Sequence, residues 1–149
     1  MSEHNHDIRV LNGLIETTID SADGYQKAAE DAKNARIAQL FRQWASERTQ
    51  VVSTLRQAVR QEGGKPEDDG TVLASAHRMF VGMRASMSKN DKAVIEEVER
   101  GEDHIKSKYE DALKDKDLSV AAREVVQLCY TSVRTGHDEM SAIKHSIAG

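Results

Sequence analysis

Apolar residues recur along this chain at steps of three and four, the spacing that lines one face of an α-helix. The clearest stripe is Val94, Ile95, Val98, Ile105, Tyr109, Ala112 and Leu113. Between Val98 and Ile105 the same face is filled by Gly101 and Glu102. The pattern therefore turns the Glu102 carboxylate inward. An unpaired buried carboxylate is costly, so Glu102 calls for a cation, a metal, a proton or trapped water.

The other segments follow the same rule. A first helix is predicted from about Ile8 to Ala32, with Ile8, Leu11, Ile15, Thr18, Ala22, Tyr25 and Ala29 on its stripe. Residues 1–7 are expected to be a flexible terminus, and His4 and His6 fall within it. Asn34 is expected to end that helix in a left-handed conformation. A second helix, about Ala35 to Gln61, carries Ile37, Leu40, Phe41, Trp44, Val51, Val52, Leu55, Ala58 and Val59. Its stripe passes through Arg48, a second charge on an apolar face. Gly63, Gly64 and Pro66 end it. A shorter helix is predicted over about Thr71 to Met87. Ser88 and Asp91, spaced as a capping box, then open the helix of Val94 to Leu113. After a turn at Asp115 to Ser119, the last helix runs from about Val120 to Ile147. Its stripe is Ala122, Val125, Cys129, Val133, Gly136, Met140, Ile143 and Ile147.

Two tight turns make two antiparallel hairpins. The short helix in the link between them would measure roughly 24 Å at ~1.5 Å per residue, most of a bundle's height. The expected fold is all-α: a ferritin-like four-helix bundle with a long crossover connection carrying an extra short helix. The whole chain, 1–149, reads as a single domain.

Charge narrows the partners. The formal net charge is −4 and no basic cluster offsets it, which argues against nucleic acid and anionic membrane surfaces. No apolar run approaches the ~18 residues of a membrane span. The lone Cys129 forms no internal disulfide, and the opening MSEHNHDIRV has no signal-peptide apolar region. A cytoplasmic protein is the expectation.

Arg48, Glu102, Ala22 and Gly136 fall at one height near mid-bundle, which suggests a polar layer. One reading makes it a metal site, with Glu47, Glu102 and His137 holding iron or manganese. That ligand set is incomplete, because Gln50 and Arg134 stand where a di-iron site wants His and an acid, and Arg48 would repel a cation. The other reading needs no cofactor: Arg48 pairs with Glu102, and Tyr25 and Tyr109 hydrogen-bond the layer. Gly101 and Gly136 then allow close helix approach. His77 is expected to make an interface hydrogen bond, His104 to be solvated, and Cys129 to be an inert core residue. No phosphate loop, nucleophile elbow or Cys-x-x-Cys pair is present, so no catalytic residue is assigned and a non-enzymatic role is expected.

The residues Leu11-Asn12-Gly13-Leu14-Ile15-Glu16, Asp20, Gly24-Tyr25, Ala28-Ala29-Glu30, Glu47-Arg48, Gly63-Gly64-x-Pro66, Glu99-Arg100-Gly101-Glu102-Asp103, Tyr109 and His137-Asp138 resemble a known family. It is that of bacterial ferritin-like four-helix-bundle proteins grouped as a domain of unknown function. The resemblance spans about Leu11 to Ile143. It implies a ferritin-like bundle, often linked to stress, with no established reaction. A homo-oligomer is expected, and Met79, Phe80, Met83 and Met87 on the 71–87 helix offer a surface for a protein partner.

Overall fold

The computed structural model of the chain describes residues 2–68 and 91–148. The expected helix at 71–87, with His77, Met79, Phe80, Met83 and Met87, lies outside the described residues, as does Ser88. Among the described residues the chain forms four helices: α1 (Ser2–Asp31), α2 (Ala35–Gln61), α3 (Asp91–Leu113) and α4 (Val120–Ala148). The all-α bundle read from the apolar spacing is what the chain adopts. None of these helices is long and apolar enough to cross a membrane.

The interior divides into two apolar clusters. One gathers Leu11, Ile15, Leu55, Ile105, Tyr109, Val126 and Val133. These come from the start of α1, the end of α2, the end of α3 and the start of α4. The other gathers Tyr25, Phe41, Val94, Ile95 and Met140 from the opposite ends of the same helices. α1 packs on α2 and α3, while α4 packs on α3 and α2, and each of these neighbours is antiparallel. α2 and α3 stand on a diagonal and run parallel, which a simple up-down-up-down chain cannot give. Gln61 thus finishes α2 at one end of the bundle, and Asp91 opens α3 at the other.

Local chemistry sets the helix boundaries. Asn34 is not a left-handed terminator. It sits at φ −75° and ψ 120° and caps α2, its side-chain oxygen accepting from the N–H groups of Arg36 and Ile37. The left-handed residue is Gly63, at φ 85°. Gly64 N–H reaches Val59 O at 3.0 Å and Gly63 N–H reaches Arg60 O at 3.0 Å, the paired bonds that close a helix C-terminus. Asp91 ties α3 to the α1–α2 turn, its carboxylate accepting from the N–H groups of Lys33 and Asn34 at 2.8 Å each. Replacing Asp91 with Ala removes both acceptors and is expected to cost about 1 kcal/mol, the size of a lost cap. A lowered urea midpoint with an unchanged slope would report it.

The first helix starts ahead of the Ile8 expected from apolar spacing. α1 begins at Ser2, because polar contacts, not apolar spacing, hold its first turns. Asp7 is fully buried, and its Oδ1 accepts the Ser119 N–H at 3.0 Å. The His6 ring meets Asp115 at 2.7 Å, and the His4 ring meets Glu62 at 3.0 Å.

Candidate functional site

Between the two apolar clusters lies a polar layer built around Arg48. Its helix position is dictated by the stripe of α2, which buries Ala45, Arg48, Val51 and Val52 in sequence. Arg48 has no exposed surface and Glu102 almost none. The Arg48 Nη2 donates to Glu102 Oε2 at 2.7 Å, and Nη1 donates to Ser21 Oγ at 2.7 Å. The pair therefore joins the diagonal helices α2 and α3 through the bundle interior. Two rings flank the guanidinium, with its central carbon 5.5 Å from the Tyr25 centroid and 5.6 Å from that of Trp44. Desolvated contacts of this kind are worth up to about 2 kcal/mol. The Arg48 Nε–H is buried without an acceptor among the described residues, so the rings and two bonds carry the charge.

The fourth helix contributes by omission. A Cβ built on Gly136 would stand 2.5 Å from Arg48 Nη2, 3.2 Å from Trp44 Cζ3 and 3.3 Å from Glu102 Oε2. Only a glycine leaves room for the ion pair there. Gly101 does not share this role, since a Cβ there meets nothing within 4 Å and the residue is exposed. The expectation of close approach at Gly101 is thus corrected. Gly101→Ala should stabilise the protein by ~0.5–1 kcal/mol, because Ala fixes a helical backbone that glycine leaves loose. A raised thermal midpoint checks this.

The tyrosines enter the layer differently from expectation. Tyr25 contributes its ring face. Its hydroxyl lies near Glu102 but meets no acceptor at hydrogen-bond geometry among the described residues. Burial, and then the Glu102 charge, hold that phenol well above its ordinary pKa. Tyr109 bonds Thr18 at 2.7 Å, not the ion pair. The Thr18 hydroxyl donates to Leu14 O at 2.6 Å, so the Tyr109 O–H is the donor to Thr18. Periodicity did not flag Ser21, nor the part of Trp44, whose Nε1–H donates to Glu139 Oε1 at 2.8 Å. Glu97 was also missed; it is buried and paired with Arg100.

The three residues proposed for iron or manganese, Glu47, Glu102 and His137, are not brought together. Glu47 accepts from Ser132 Oγ at 3.0 Å, and Glu102 is engaged by Arg48. His137 lies between Asp103, at 2.7 Å, and Asp138, at 3.2 Å. Desolvation acts to lower its pKa, but these two carboxylates hold it above the ordinary value. Both ring nitrogens are thus engaged by carboxylates, Nε2 by Asp103 and Nδ1 by Asp138. The only trio among the described residues with ligand atoms mutually within 4.8 Å is His6, Asp115 and Asp117. Its members are already bonded as a clasp: Asp115 holds the His6 ring and, at 2.9 Å, the Asp117 N–H. His104 is exposed and Cys129 buried, as expected; burial pushes the Cys129 thiol up to about 11, which leaves it unreactive at neutral pH.

No curated protein matches the chain. A family model does match, over residues 6–115, a span that holds most of α1 and all of α2 and α3, with Ser21, Tyr25, Arg48 and Glu102. The chain therefore belongs to the family described as Domain of unknown function (DUF2383).

Proposed function

We propose that the protein is a non-enzymatic, ferritin-like helical bundle in which a guanidinium takes the mid-bundle place that a metal holds in the di-iron members of that architecture. The observation that carries this reading is the 2.7 Å contact of Arg48 Nη2 with Glu102 Oε2, with both side chains shut off from solvent. The parallel run of α2 and α3, with Gln61 and Asp91 at opposite ends, supports the ferritin-like part. A stress-associated role in a homo-oligomer rests on the family resemblance, and a cytoplasmic setting on the lone Cys129.

A buried pair of this kind adds little net stability, since desolvation offsets its attraction. Its contribution is register. Any axial slip between α2 and α3 would separate the charges and strand both. The interior is thereby committed to structure, and the outer faces are left to carry partners.

The test is metal content. Protein purified without chelator, then exposed to iron(II) or manganese(II), should hold neither ion in stoichiometric amount, and its thermal midpoint should not move. Stoichiometric metal that disappears in Glu102→Gln would overturn the reading in favour of an iron or manganese site.

A further inference from the structure

At the end of the bundle where α1 begins, two carboxyl groups face each other. Asp7 is 0% exposed. Its Oδ1 accepts the Ser119 N–H, but its Oδ2 is buried with no hydrogen-bond donor among the described residues. Glu62, just past the end of α2, shows the same asymmetry. Its Oε1 holds the His4 ring, and its Oε2 is buried without a donor. The two side chains lie close enough to perturb each other, and the oxygen left over on each is buried without a donor. Ionised carboxylates are acceptors only, so two of them in contact repel. A proton between the two buried oxygens removes the repulsion and supplies the missing donor to both.

We propose that Asp7 and Glu62 share one proton, carried on Glu62 and donated to Asp7 Oδ2, and that this bond is a pH-sensitive latch holding the first turns of α1 onto the end of α2.

The electrostatics agree. Burial, then the Asp7 contact, raise the Glu62 pKa above its ordinary value. Burial acts to raise Asp7 too, but its bonds to Glu62 and Ser119 bring it below its ordinary value. The signs give a window. A raised acid loses its stabilising effect as pH climbs through its folded pKa, and a depressed one loses it as pH falls through its own. The latch is therefore closed above the Asp7 range and opens as Glu62 ionises. Among the described residues, the other titratable group facing the pair is His4 on α1, and the Ser119 N–H stands beside Asp7. The His4 ring also contacts Glu62 Oε1, so the test has to separate its contribution from that of the shared proton.

Amide hydrogen exchange of the full chain, read over residues 2–10 at pH 5 and pH 8 and corrected for intrinsic rate, does so. Wild-type protection should fall by about fivefold or more from pH 5 to pH 8, a local loss of ~1 kcal/mol. Glu62→Gln should show no such fall, because its carboxamide donates to Asp7 Oδ2 at either pH. Asp7→Asn should be equally flat, donating the other way, and serves if Glu62→Gln fails to fold. His4→Gln should keep the fall. A flat wild-type profile, or an unchanged fall in both carboxamide variants, overturns the latch. A flat profile in His4→Gln assigns the effect to the imidazole, and a fall abolished by chelator assigns the gap to a cation; each also overturns it.

Discussion

Arg48→Met should destabilise the protein by ~3–5 kcal/mol, the cost of removing one partner from a buried ion pair. Met fills much of the space of the arginine stem, so the loss is electrostatic and not a cavity effect. What remains is a Glu102 carboxylate with 1% exposure, no counter-charge at 2.7 Å, and a Ser21 hydroxyl without its donor. Urea unfolding of the variant beside the wild type would show it, and a loss well under ~1 kcal/mol would mean that Glu102 finds water or another partner.

Gly136→Ala should cost ~1–3 kcal/mol, the usual penalty for an added methyl in a filled core. On helix propensity alone the same change gains ~1 kcal/mol, so the outcome is a contest between backbone and space. Space wins because of what the methyl meets. An arginine tip 2.5 Å away would be cheap to move on a surface. Here that tip is held by Glu102 and Ser21 and flanked by Tyr25 and Trp44. Displacing it breaks bonds that nothing nearby replaces. Gly101→Ala, in open space, should change stability in the opposite direction. Thermal midpoints of the two variants side by side measure the difference, and equal shifts of one sign would show that the space at Gly136 is not what its glycine preserves.

Much of this interior was legible in the sequence because α-helices write their buried face at a fixed period. Glu102 and Arg48 stood out as charges on apolar stripes, and counting along the helices put them at one level. Gly136 stood out as a gap in a stripe, although its neighbours across the bundle did not. Other parts carried no such signal. Ser21 is a small polar residue beside a stripe, ordinary in any helix, and only the reach of Arg48 gives it a task. Trp44 read as core because its ring is apolar, while the Nε1–H bond to Glu139 depends on where α4 lies. Asp7 is the plainest case. It sits in a polar run that periodicity treats as loose, and its burial comes from Ser119 and Glu62, which are distant in sequence. The error over Asn34 has a similar source: its side chain serves the helix that follows, not the one before. His137 and Glu47 looked available to a metal only until their own partners, Asp103 and Ser132, were placed.

The polar layer depends on the coupling between Arg48 and Glu102. A double-mutant cycle by urea unfolding, with Arg48→Met, Glu102→Gln and the two combined, measures it directly. The prediction is a double variant less destabilised than the sum of the singles, by at least ~1 kcal/mol, beyond the ~0.3–0.5 kcal/mol seen between independent sites. Additive losses within that margin would contradict the central claim and leave the layer without its key.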